Sequence, residues 1–244
     1  MRPARLALFA ALALAAALAV GAALFPLSLA LRLAGAPVTG TPSGTVWNGR
    51  IEDAAVQGQP LGLVTLRPRL FPLLGGTLDA DVTMDGPLGT GEARVKAKGQ
   101  RVILLDAAAD LDLAATSARD AFGQPLRGRA QVETPSLTLA GGACEAGTLD
   151  VTTDLLTQAA AQLGAPALGA PLAGQGACED GMLVLPLTGR GAAGEAEALL
   201  RLGPARYTTA LTLTPDDPRA GQVLEAYGFK RSAGGFTLVT RGRY

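Results

Sequence analysis

The chain lacks histidine and is poor in aromatic residues and cysteine. Its 244 residues include no histidine, two cysteines and one tryptophan, and aromatic residues make up 4%. Without histidine, Ser-His and Cys-His nucleophilic sites are excluded and the commonest zinc ligand is missing. No G-x-x-x-x-G-K-[ST] loop occurs that would cradle phosphates. We therefore expect a protein that is not an enzyme and has no catalytic residues, cofactor or metal.

A basic surface for nucleic acid is missing as well. Three of the 21 basic residues, Arg2, Arg5 and Arg32, lie in or beside the N-terminal apolar stretch, which leaves 18 against 21 acids elsewhere. A weakly acidic remainder without a basic run offers no electrostatic footprint for nucleic acid, so we expect no such partner.

Charge is absent from residues 6–31, where Ser28 is the only polar side chain. Roughly 20 such residues cross a hydrocarbon core as a helix, and Arg2 and Arg5 ahead of them favour a cytoplasmic N-terminus. The alternative is a cleavable signal peptide, whose apolar region usually runs only ~7–15 residues. We favour the uncleaved anchor. It predicts four parts: a cytoplasmic tip (1–5), a transmembrane helix (6–31), a linker (32–43) and an exported β domain (44–244).

Alternation of apolar and polar residues dominates the exported part. "TLDADVTMD" places Leu78 and Val82 on one face and Asp79 and Asp81 on the other, as in a half-buried strand. The same pattern recurs at 92–98, 109–114, 126–133, 148–153, 195–202, 206–214 and 235–241. Two segments have helical spacing instead, 154–165 with Asp154 as N-cap and 216–229.

The predicted fold is therefore mainly β: an N-terminal transmembrane helix, then a curved, meander-like antiparallel sheet with two short helices. The apolar positions hold mostly Ala, Leu and Val, with few aromatics to fill a thick core. Such a sheet can fold over itself as a sandwich or barrel, or curl into an aliphatic trough. The sequence leaves both open.

The two cysteines lie in similar settings. "GACEAGTLDV" contains Cys144 and "GACEDGMLVL" contains Cys178, and the similarity suggests two turns that each lead into a strand. In an exported domain the pair is expected to form a disulfide that fixes helix 154–165 to the sheet. Without export, the same residues could be two buried thiols.

Acidic residues on the predicted strands are the remaining candidates for a site. Asp79, Asp81 and Asp85 share one strand face, as do Asp110 and Asp112, and could form carboxylate pairs or a calcium site. Alternation with apolar residues produces the same pattern on a solvated face, which is the interpretation we prefer.

Trp47 lies between glycines close to the apolar stretch. Asn48-Gly49 is a strong hairpin signal, so "TVWNGRIEDAAV" predicts strand, tight turn, strand. Trp47 then caps one end of the core; the alternative role is a contact with the membrane interface or with a partner.

Three segments carry a family resemblance. The motif G-T-V-W-x-G (Gly44, Thr45, Val46, Trp47, Gly49), "LRPRLFPLLGGTLDADV" at 66–82 and the closing residues 213–244 resemble the type II secretion system protein N family. A second tryptophan that the family often has shortly before Arg67-Pro68 is missing here.

The resemblance implies an accessory inner-membrane subunit, with a periplasmic domain, in the machine that exports folded proteins across the outer membrane. Its partners would be other secretion components, and the family has no catalytic residues to transfer. The alternative function is a periplasmic protein that binds lipid or another apolar ligand in an open β groove.

Overall fold

The structure, a computed structural model, describes residues 24–34, 38–56, 58–116, 125–217 and 219–243. Its strands are β1 (Val38–Thr45), β2 (Asn48–Val56), β3 (Gln59–Pro68), β4 (Leu78–Gly86), β5 (Gly89–Lys98), β6 (Arg101–Asp112), β7 (Arg129–Ala140), β8 (Ala143–Thr153), β9 (Leu172–Glu179), β10 (Met182–Gly191), β11 (Gly194–Leu202), β12 (Arg206–Pro215), β13 (Lys230–Ser232) and β14 (Gly235–Arg243). Its helices are α1 (Leu27–Ala34), α2 (Leu70–Leu74), α3 (Leu155–Gln162) and α4 (Ala220–Ala226), with 3-10 turns at Leu113–Ala115 and Pro166–Leu168.

All fourteen strands belong to one antiparallel sheet. Consecutive strands are neighbours from β1 to β12, then β14 pairs with β12 and the short β13 lies outside β14. Neighbouring strands lie roughly 4.8 Å apart, so the sheet extends on the order of 60 Å in the hydrogen-bonding direction. The mainly-β antiparallel prediction is confirmed, but the described residues contain four short helices where the sequence predicted two besides the anchor.

The sheet has one apolar and one polar face along its whole length. In β4, for example, Ala80, Val82 and Met84 pair with Val95, Ala93 and Gly91 of β5. Where β5 meets β6, a bulge with Asp106 at φ 47° adds a residue, after which Ala107 and Ala109 return to the apolar face on which Leu104 lies. The bulge therefore preserves the apolar face through the middle of the sheet.

Two separate cores pack on the apolar face. The larger lies on β8–β12 and β14, where α4 contributes Leu224 and α3 contributes the partly buried Leu156. The smaller consists of Leu27 of α1 packed on Ile51 and Ala54 of β2. Strands β4, β5 and β6 contribute no residue to either core.

Strand β10 contains a proline that the alternation rule does not anticipate. Pro186 is paired with Leu199 of β11, while the ladder to β9 is interrupted between Val184 and Thr188. Gly174 of β9 lies so close that an added Cβ would be 1.9 Å from the Pro186 carbonyl oxygen. A proline, which has no N–H to donate, is compatible with this interruption of the ladder, and the glycine allows the two backbones to approach closely.

Asp154 is the N-cap residue of the helix after β8, as the sequence predicts, but its side chain makes no capping hydrogen bond to the helix backbone. Its carboxylate accepts hydrogen bonds from the Arg129 backbone N–H at 2.6 Å and from the Gln158 amide at 3.0 Å. The Leu155 N–H instead donates to Thr153 Oγ1. The hydrogen bond from the Arg129 N–H lowers the pKa of Asp154, with burial opposing it. Asp154 thus ties α3 to the start of β7.

The predicted transmembrane helix at 6–31 lies mostly outside the described residues. Of that stretch, α1 contains only residues 27–31. Among the residues that the structure describes, no helix has the length and apolar character needed to cross a bilayer. Strand β1 begins at Val38, so part of the segment predicted as a linker belongs to the sheet.

Candidate functional site

The apolar face of β4–β6 belongs to neither of the two cores. We call it the open apolar face. It consists of aliphatic side chains and glycine from the three strands: Leu78, Ala80, Val82, Met84, Gly91, Ala93, Val95, Ala97, Val102, Leu104, Ala107, Ala109 and Leu111. Most of them are half-buried, Ala80 is buried, and Leu78 is 39% exposed. The arrangement can hold an apolar ligand without supplying a hydrogen bond.

The G-T-V-W-x-G motif lies where α1 packs against the sheet. The β1–β2 turn consists of Val46 and Trp47, because Thr45 pairs with Asn48 and Gly44 with Gly49. The predicted Asn48-Gly49 turn is therefore wrong by two residues. Position 49 requires glycine for a different reason: a Cβ there would lie 2.7 Å from Leu27 Cδ2 of α1. Gly44 has φ 80°, which favours glycine.

Trp47 is half-buried in this turn. The neighbouring Val46 N–H donates to the Phe25 carbonyl at 3.0 Å, and Pro26 bridges to Thr45. The turn therefore lies directly against the residues through which the chain enters from its N-terminal apolar stretch.

The prediction that all the aspartates lie on a solvated face is wrong for Asp79. Its side chain is only 3% exposed and accepts two hydrogen bonds from Arg94, from Nε at 2.8 Å and Nη2 at 2.7 Å. These bonds lower the pKa of Asp79, with burial opposing them and the charges of Arg94, Arg69 and Lys96 adding to them. Asp79 is thus the buried member of an ion pair whose Arg94 side chain is 32% exposed.

The other candidate acids make separate contacts and do not form one site. Asp81 accepts from Arg69 at 3.1 Å, and Asp112 accepts the Ala114 N–H at 2.9 Å at the start of a 3-10 turn. Asp85 and Asp110 line a shallow depression of about 500 Å³ on the polar face together with Glu92 and Glu133. No group of three acids, cysteines or histidines in the described residues could hold a metal ion.

Cys144 and Cys178 form a disulfide between β8 and β9, with Cα atoms 5.2 Å apart. The second cysteine motif contains a turn at Asp180-Gly181, whereas the corresponding residues of the first lie within β8, with a register shift at Glu145 between Cys144 and Ala146. The disulfide joins two neighbouring strands of the sheet, and α3 lies in the chain between them.

Positive charge is concentrated at one end of the strands, a feature that sequence reasoning missed. We call this the turn end: it carries the turns after β1, β3, β5, β7, β9 and β11, and the chain enters there through Phe25 and Pro26. On β2–β6 it has seven basic residues: Arg50, Arg67, Arg69, Arg94, Lys96, Lys98 and Arg101. The sequence pattern that could have revealed it is the alternation, from strand to strand, of ends rich in basic residues and ends rich in acidic residues.

The residues that form the sheet, from β1 to most of β14, are the residues that this chain shares with a known family. The family model of type II secretion system protein N matches residues 38–239. The chain belongs to this family. No curated protein and no solved structure matches it. The resemblance found in the motif at 44–49 is thereby confirmed, and involvement in type II secretion follows from the family.

Proposed function

We propose that this member of the protein N family is an inner-membrane-tethered subunit of the type II secretion machine that acts through contacts with other components. The observation that carries the proposal is the family match, which covers the sheet from its first strand to its last. Residues 6–31 would form the anchor, residues 1–5 the cytoplasmic tip, and the β domain would lie in the periplasm.

The shape of the sheet supports a role as a spacer between components. Leu27 of α1 packs on Ile51 at one edge of the sheet, next to the end of the N-terminal apolar stretch. The other edge, β13 and β14, lies on the order of 60 Å away when measured along the hydrogen-bonding direction. A rigid sheet of this length can reach a second component while its first edge stays near the membrane.

Complementation of a deletion strain tests this function. We expect the full chain to restore secretion of folded proteins and to retain other secretion components when it is purified from solubilised envelopes. A variant in which residues 1–23 are replaced by a cleavable signal keeps α1 and should be exported without restoring secretion. Normal secretion in the deletion strain would contradict the proposal, as would envelopes that yield no secretion component.

A second candidate function, binding of a lipid or another apolar molecule, is favoured by the open apolar face. This face has only aliphatic side chains and glycine, and it reaches the turn end at the exposed Leu78. Burial of such side chains under an acyl chain would stabilise the complex by about 25 cal/mol for each Å² of apolar surface removed from water.

Photo-cross-linking in cell envelopes tests the second candidate. Val95 and Lys96 are neighbours on β5 with side chains on opposite faces. A photoreactive residue at Val95 should form phospholipid adducts, whereas the same residue at Lys96 should form few. Equal yields at the two positions, or none at Val95, would contradict lipid binding on this face.

A further inference from the structure

We propose that the turn end of β3–β6 is a docking surface for the membrane, which places apolar side chains of α2 among the lipids and basic side chains against anionic headgroups. We call it the membrane patch, and its residues are Phe71, Leu73, Leu78, Arg67, Arg69, Lys98 and Arg101. The proposal rests on the function proposed above, because it assumes that the chain is anchored in the inner membrane.

The apolar part of the patch is exposed to an unusual degree. Phe71 is 87% exposed, and Leu73 of the same short helix is 38% exposed. Leu78, at the start of β4, is exposed beside them. Large apolar side chains grouped in this way on a surface indicate a contact with a partner or a membrane. Phenylalanine and leucine are the residues that peripheral proteins place at the acyl boundary.

The charges around these side chains are predominantly positive. Arg69 and Arg101 form ion pairs with Asp81 and Glu145. Arg67 and Lys98 are exposed and have no ion-pair partner among the described residues. Unpaired basic residues near a membrane are attracted to anionic lipid headgroups over roughly a Debye length. The patch therefore combines an apolar centre with a basic surround.

The path of the chain indicates that a membrane is what contacts the membrane patch. Phe25 and Pro26 contact the β1–β2 turn, so residue 24 lies at the turn end, and the rest of the apolar stretch, residues 6–23, precedes it in the chain. Strand β3, which leads into α2, is two strands from β1. If residues 6–23 enter a bilayer, its surface lies at the end of the sheet from which Phe71 projects. A second copy of the chain would bring like charges together.

Fluorescence quenching tests the patch, because the chain has a single tryptophan. The variant Trp47→Phe/Phe71→Trp places the reporter in α2, and Trp47→Phe/Val223→Trp places it on α4, at the opposite end of the strands. Each full chain is reconstituted in bilayers of brominated phosphatidylcholine, with or without phosphatidylglycerol. We expect at least threefold stronger quenching at position 71 than at 223, and stronger quenching with phosphatidylglycerol present.

Charge reversal separates the patch from the anchor. Lys98→Glu/Arg101→Glu should reduce quenching at position 71 at least twofold, whereas Arg201→Glu/Arg206→Glu, on strands far from α2, should leave it unchanged. Quenching at 71 no stronger than at 223 would overturn the proposal. So would quenching that is indifferent to phosphatidylglycerol and to Lys98→Glu/Arg101→Glu. The secretion assay is independent: a dispensable protein would contradict the proposed function even if position 71 were quenched.

Discussion

The apolar face of β8–β14 and that of β4–β6 have similar side chains but differ in what lies on them. In the first region, α3 and α4 occur in long connections, after β8 and after β12, and fold back over the sheet. In the second, β4, β5 and β6 are joined by two-residue turns, and among the described residues they contribute to neither core. Among the described residues, the helices that follow β8 and β12 therefore account for the closed core, although strand composition is similar in both regions.

This difference suggests that one region of the sheet provides stability and the other provides a binding surface. The covered region contains the larger core, including Leu224 at 2% exposure, as well as the disulfide. The open apolar face is held in shape by strand pairing on both sides. We expect substitutions in the covered region to affect stability and those on the open face to affect binding.

The largest expected effect comes from truncating the core under α4. Leu224→Ala should lower the free energy of unfolding by about 4 kcal/mol, because it removes buried methyl groups and leaves a cavity. Leu104→Ala, a matched change on the open face, should cost less than about 1 kcal/mol since that side chain is already half-exposed. Urea unfolding of the full chain in detergent measures both. Equal losses would mean that the open face is covered in solution.

Removal of the disulfide should be the next largest effect. Cys144→Ala/Cys178→Ala opens a loop with a sequence separation of 34 residues. In the chain-entropy model, a disulfide that closes such a loop stabilises the folded state by roughly 3–4 kcal/mol, because it restricts the unfolded chain. Reduction of the unmodified chain should give a similar loss. Two thiols that react in denatured, unreduced protein from the periplasm would contradict the pairing.

At the other edge of the sheet, Gly49→Ala tests how tightly α1 packs. The new Cβ would lie 2.7 Å from Leu27 Cδ2, so the Leu27 side chain must shift, at a cost of about 1 kcal/mol. The double variant Leu27→Ala/Gly49→Ala should cost less than the sum of its single changes, since the clash is gone. Additive losses, measured by the same unfolding experiment, would contradict a contact between the two residues.

The sequence predicted the strands with clear alternation and the face on which their apolar residues lie. It did not predict β9, whose glycines resemble a loop, and of β10 it predicted only a strand start after the second cysteine motif, because Pro186 resembles a loop residue. The turn at Val46 and Trp47 was also missed. Gly49 suggested a hairpin turn, but its role is to admit α1, a contact between distant parts of the chain.

Burial of Asp79 was missed for the same reason. Alternation placed Asp79 on a polar face, yet the connection that contains α2 returns at this point, and the Arg69 N–H donates to the Asp79 carbonyl at 2.7 Å. No property of "TLDADVTMD" distinguishes Asp79 from Asp81 or Asp85. Tertiary structure alone makes one of them the buried member of an ion pair.

The smallest predicted effect is a pH dependence that belongs to this ion pair. Hydrogen bonds from Arg94 lower the pKa of Asp79 in the folded state relative to the unfolded chain. The pair therefore contributes stability above the unfolded pKa of about 3.9, and this contribution is lost as the pH falls through the lowered folded value. Asp79→Asn should remove this part of the acid sensitivity, whereas Asp85→Asn, on the same strand face, should retain it. Unfolding midpoints measured between about pH 2 and pH 6 compare the two. Equal acid sensitivity in both variants would mean that the Asp79–Arg94 pair does not contribute to the stability of this end of the sheet.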